Sequence, residues 1–106
     1  MATRDQREVN ESPLDQGSRE VAAYTFDFSA SGITTIASAV CRVEDSAGLD
    51  VTATVITGSP AGVAVGAIVT TPLIAGLTAG RLYRLSCLAT HAGQITELYL
   101  LLRCRS

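Results

Sequence analysis

Charge is scarce in this chain, at 17% of 106 residues, and it is nearly balanced, with a net charge of -2. Proteins that bind nucleic acid draw much of their affinity from clustered basic side chains that neutralise phosphates. Here the arginines are divided between Arg4, Arg7 and Arg19 near the start and scattered later positions, so no basic patch is expected and nucleic acid is not an expected partner. Long apolar runs are also missing. The longest, such as Leu98 to Leu102, fall far short of the ~20 residues that a membrane-spanning helix needs. The first residues, Met1 to Glu8, are polar where a secretory signal carries an apolar core, so export by that route is not expected. Cysteine is sparse and odd in number: Cys41, Cys87 and Cys104 are far apart and match no metal-ligand spacing. They lack the dense, even pattern of a disulfide scaffold, and the expectation is small buried hydrophobes with free thiols.

What the chain has is apolar content, 47% of residues, which excludes a disordered polymer. The length suffices for one core and is too short for two. A surface so lightly charged is suited to meeting a partner.

Two regions differ in pattern. Residues 1–20 hold clustered charge, Pro13, Gly17 and no hydrophobic periodicity, and read as a polar N-terminal arm that orders only against a partner, because ordering costs about 1 to 2 kcal/mol per residue in backbone entropy. From Val21 onward, residues 21–106 read as one β domain. Tyr24, Phe26 and Phe28 alternate with Thr25 and Asp27, the period of a half-buried strand. Thr34 to Val43 is rich in β-branched residues and leads into the turn cluster Glu44 to Gly48. Val51 to Ile56 alternates valine and alanine with threonine and reads as a third strand. Val63 to Thr71 reads as a fourth, bent or bulged at Gly66. The last third reads as a hairpin, Arg81 to Thr90 and Gln94 to Arg105 around a His91-Ala92-Gly93 loop.

In that hairpin Tyr83, Leu85, Cys87 and Ala89 share one face, and Leu98, Leu100, Leu102 and Cys104 share the matching one. If Thr90 pairs near Gln94, Cys87 lies opposite about Glu97. Cys104 is then about seven residues further along at about 3.4 Å each, beyond the ~7 Å between Cα atoms that a disulfide tolerates. A Cys41–Cys87 bridge between two sheets stays open. Six or seven short strands with turns between them predict an all-β fold, a small antiparallel immunoglobulin-like β-sandwich, with a small barrel as the other arrangement.

No catalytic constellation is expected. His91, the one histidine, falls in a loop without a nucleophile or orienting carboxylate at a recognised spacing. Cys87 and Cys104 fall on core faces, where a thiol is unreactive. Asp27, Glu44 and Asp45 read as strand-end solubilising groups in preference to paired carboxylates or a calcium site. Gly76 and Gly80 lack the lysine and helix of a phosphate loop and read as turn formers. No catalytic residue, cofactor or metal is therefore expected.

Three segments carry a resemblance: Val21-Ala-Ala-Tyr-Thr-Phe-Asp-Phe-Ser29, then Thr34-Thr-Ile-Ala-Ser-Ala39, then Ala75-Gly-Leu-Thr-Ala-Gly-Arg-Leu-Tyr83, followed by the Thr90-His-Ala-Gly93 hairpin loop. In order and spacing they resemble a family of small virion proteins of tailed bacteriophages, over about residues 19–105. That family usually has tryptophan in its second strand where this chain has Cys41. The resemblance implies an immunoglobulin-like domain, non-enzymatic, made in the host bacterial cytoplasm and located in the virion. Its partners would be other virion proteins, at the portal or neck, the tail, the fibres or the major capsid, in multiple copies within a symmetric assembly. Attachment at the neck or tail as an adaptor or collar component is the leading expectation. Decoration of the head as a cement protein is the alternative, and an adhesin or carbohydrate-binding module ranks last, because all five aromatics fit strand positions. For the interface the expected anchors lie in the arm: Arg4, Arg7, Val9, Leu14 and Arg19, since arginine is enriched at interface cores and isolated aliphatics in a polar segment need a surface to cover.

Overall fold

A computed structural model describes residues 14–29 and 32–105. Seven strands and one short helix follow in the order β1 (Leu14–Gln16), β2 (Thr25–Asp27), β3 (Ser38–Asp45), α1 (Thr52–Val55), β4 (Val63–Val65), β5 (Ile68–Thr70), β6 (Leu82–His91) and β7 (Gln94–Cys104). They form a four-stranded sheet, β1-β7-β6-β3, and a three-stranded sheet, β2-β5-β4. All pairings are antiparallel except β1 with β7, which is parallel.

The alternation read from the sequence sets the core. Ala39, Cys41 and Val43 from β3, Tyr83, Leu85, Cys87 and Ala89 from β6, and Leu98, Leu100, Leu102 and Cys104 from β7 are all buried on one face of the larger sheet. Phe26 and Val69 from the smaller sheet share that core with Phe28, and Ile33, Ile36, Ile56, Ile74 and Leu77 fill it from the connections. Each large aliphatic or aromatic side chain so buried contributes about 1.5 to 3 kcal/mol, so the core outweighs any surface term.

Several boundaries differ from the sequence reading, each for a local reason. Strand β3 starts at Ser38 and takes in Glu44 and Asp45. The exit turn is organised by Asp45, whose Oδ1 accepts the N–H groups of Ala47 and Leu49 at 2.9 and 3.0 Å. The expected third strand, Val51 to Ile56, is instead built around the single turn of α1. Asp50 accepts both the Thr52 N–H at 2.9 Å and the Thr52 hydroxyl at 2.6 Å. The Thr52 hydroxyl oxygen in turn accepts the Val43 N–H at 2.9 Å. The segment thus satisfies the edge of β3 with a helical turn tied down by Asp50 and Thr52, where a strand would have used a ladder. The expected fourth strand, Val63 to Thr71, is a hairpin, β4 and β5, with Val65 opposite Ile68. Its two-residue turn has positive φ at Gly66 (62°), a geometry in which glycine carries no Cβ penalty, so the glycine reverses the chain where a bulge was expected.

The last hairpin keeps its place with a register one residue away from expectation. His91 pairs with Gln94 and Thr90 with Ile95, so the loop is the two-residue Ala92-Gly93 turn, both at positive φ (49° and 77°). Cys87 therefore faces Leu98, not Glu97, which keeps apolar against apolar on the inner face.

Candidate interaction surface

Of the expected anchors, Arg4, Arg7 and Val9 lie outside the described residues. Leu14 opens β1 and pairs with Leu102, half-buried, while Arg19 is exposed in the turn that follows. From Leu14 onward the segment expected to form an arm is therefore joined to the larger sheet. Asp15 holds it from outside, 3.1 Å from Arg103 and 3.4 Å from Arg105. Gln16 holds it from inside: its side chain is 1% exposed, and its amide donates to the carbonyls of Ile74 at 2.7 Å and Glu20 at 3.0 Å. Its Oε1 accepts the Tyr24 hydroxyl. Burial first and the Glu20 carboxylate second raise the Tyr24 pKa, which keeps that donor protonated. The sequence offered no signal for this joint, because one buried glutamine inside a polar run has no periodicity.

Three of the exposed aliphatic side chains lie together on the outer face of the smaller sheet. Val63 and Val65 are 66% and 74% exposed and lie beside Ile68, 46% exposed and directly opposite Val65. Only Asp27 brings charge to that face among the strand residues described. Its carboxyl is held below the usual range by the side-chain and backbone groups of Ser29. The larger sheet is different on its outside. Arg42, Arg84, Arg103 and Arg105 each lie 3.1 to 3.8 Å from a carboxylate, Arg84 also covers the Tyr99 ring at 4.2 Å, and Arg81, before β6, lies 3.8 Å from the buried Asp45. The exposed pairs among these add about 0 to 1 kcal/mol each, and no cluster of uncompensated positive charge is left among the five arginines. A shallow groove of about 680 Å³ runs beside β3, floored by Val40, Pro60 and Leu88, and the Arg42–Asp50 pair at 3.4 Å lies among its lining residues.

The residues weighed for chemistry are dispersed. His91 Nε2 lies 3.0 Å from the Thr96 hydroxyl across its hairpin. Asp45 serves its own turn and Glu44 pairs with Arg42. Among the described residues no group of three or more histidine, cysteine or acidic side chains is arranged to hold a metal ion. All three cysteines are free and buried. Cys41 and Cys87, pictured from the sequence as facing each other between two sheets, instead lie opposite one another on adjacent strands of one sheet. No protein-family model, curated protein or solved structure matches the chain.

Proposed function

We propose that this chain is a non-enzymatic structural protein of a tailed-bacteriophage particle. In this reading it is an immunoglobulin-like sandwich with an N-terminal arm, held by both at the neck or tail as an adaptor or collar component. The observation that carries the reading is where the resembling segments fall in the strand order. With β2, β5 and β4 read as the B, E and D strands and β3, β6 and β7 as C, F and G, the strand order of the two sheets is compatible with an immunoglobulin-like arrangement, which supports the reading. The segment that ends in Tyr83 lies at the corner before β6. There the Tyr83 hydroxyl accepts the Thr78 N–H at 2.8 Å, the kind of bond that a tyrosine corner makes to the backbone a few residues upstream.

The surface favours a protein partner over a sugar. Phe26, Phe28 and Tyr83 are buried, and Tyr24 and Tyr99 are half-buried, so no aromatic ring is presented for stacking on a carbohydrate. The exposed Val63, Val65 and Ile68 are instead an apolar patch of the kind protein contacts cover. Arg4, Arg7 and Val9, together with Leu14 and Arg19 at the root of the arm, remain the proposed anchors.

Deleting residues 2–13 tests the arm. Because β1 and Gln16 are kept, the truncated protein should unfold at nearly the temperature of the full chain and yet fail to enter particles. Normal incorporation of the truncated chain, measured by blotting purified particles, would show that the arm does not attach it.

A further inference from the structure

We infer that Cys41 and Cys87 are a redox couple: in an oxidising medium the two thiols close to a disulfide that staples β3 to β6 within one sheet. The register sets them directly opposite one another, and both side chains lie on the buried face. The backbone bonds of β3 define the kind of site they occupy. The Cys41 N–H donates away from β6, to the Pro60 carbonyl at 2.8 Å. On the same edge the Ala39 carbonyl accepts the Gly62 N–H at 3.0 Å and the Val43 carbonyl accepts the Val51 N–H at 2.8 Å. Cys41 and Cys87 are therefore a non-hydrogen-bonded antiparallel pair. In such pairs the Cα atoms approach to about 4.5 Å, inside the roughly 4.4 to 6.8 Å range of disulfides.

The thiols already interact. Their mutual side-chain interaction lowers the Cys41 pKa and, with burial, pushes the Cys87 thiol up. Cys104 does not compete, since it lies six positions beyond Leu98, the partner of Cys87, at about 3.4 Å per residue.

A low-molecular-weight disulfide such as oxidised glutathione supplies the oxidising equivalents. One thiol of the pair, as thiolate, attacks one of its sulfurs, a protein–glutathione mixed disulfide forms, and one glutathione leaves as thiolate. The other thiol, as thiolate, then attacks that protein sulfur and expels the second glutathione, leaving Cys41 bonded to Cys87. The two protons lost by the protein thiols are taken up by the two departing thiolates, and the protein has given up two electrons. The bond closes the chain from Cys41 to Cys87, which contains α1, β4 and β5, and so constrains the unfolded state. In a reducing compartment the pair stays as thiols.

The test uses the full chain, unfolded in urea and refolded in a buffer of reduced and oxidised glutathione, so that burial does not limit access. Intact mass and peptide mapping should find a product lighter by two hydrogens with Cys41 joined to Cys87 and one thiol, Cys104, titrating after denaturation. The oxidised protein should unfold at a higher urea concentration than the reduced one, and reductant or Cys87→Ser should remove that difference. Three titratable thiols, glutathione adducts without an internal bond, or a bridge that includes Cys104 would each overturn the inference.

Discussion

Replacing Gln16 with leucine should cost about 3 kcal/mol of stability, although the two side chains are close in volume. Leucine can fill the site, but it removes two donors and one acceptor at once. The Ile74 carbonyl, in a buried bond of 2.7 Å, loses its amide partner. The Glu20 carbonyl and the Tyr24 hydroxyl lose theirs in half-buried positions that water can partly reach. An unsatisfied buried group costs about 1 to 3 kcal/mol, and partly exposed ones less. Gln16→Glu should do at least as badly, because a carboxylate would face two carbonyl oxygens at the same distances. Urea unfolding of both variants measures this. If the leucine variant is as stable as the parent, β1 is not an integral part of the sandwich.

Gly62→Val should cost about 3 kcal/mol, and Gly62→Ala about 1 to 3 kcal/mol. Gly62 sits where the chain leaves the edge of β3 for β4, bonded to Ala39 and pressed on β5. A Cβ placed there would lie 2.6 Å from Val69 Cγ1 and 3.2 Å from the Thr70 carbonyl oxygen. Val69 is fully buried, so it cannot swing into solvent, and the backbone oxygen belongs to the β5 ladder. The added methyl must therefore push the smaller sheet away from the core or break the Gly62–Ala39 bond. Combining Gly62→Ala with Val69→Ala should recover part of the loss, since the second change vacates the space that the first requires. A double-mutant cycle of urea midpoints should show a coupling of about 1 kcal/mol in the favourable direction, and strict additivity would mean that the two residues do not compete for space.

The inner faces of β6 and β7 were legible from alternation alone, because long strands with one buried face leave a period-two signature that no other element imitates. Short segments were not. Val51 to Ile56 has the alternation of a strand, yet Asp50 and Thr52 close a helical turn there, and six residues are too few for periodicity to outvote those local side-chain bonds. Val63 to Thr71 has continuous β propensity, and the turn inside it depends on one glycine. The hairpin register slipped by one because loop length, not strand composition, sets it. The Cys41–Cys87 pair depended on which strands are neighbours, a long-range pairing that the spacing of two cysteines does not encode. For the surface, the sequence pointed to the arm; the Val63–Val65–Ile68 patch became visible only once β4 and β5 were seen to put three aliphatics on the solvent side of one small sheet.

Immunogold electron microscopy with an antibody to this chain, on particles purified from a lysate of the strain that encodes it, addresses the proposed function most directly. The account predicts gold at the neck or tail of tailed particles. Label spread over the head would contradict the adaptor position and favour decoration, and particles without label would contradict a structural role in the virion altogether.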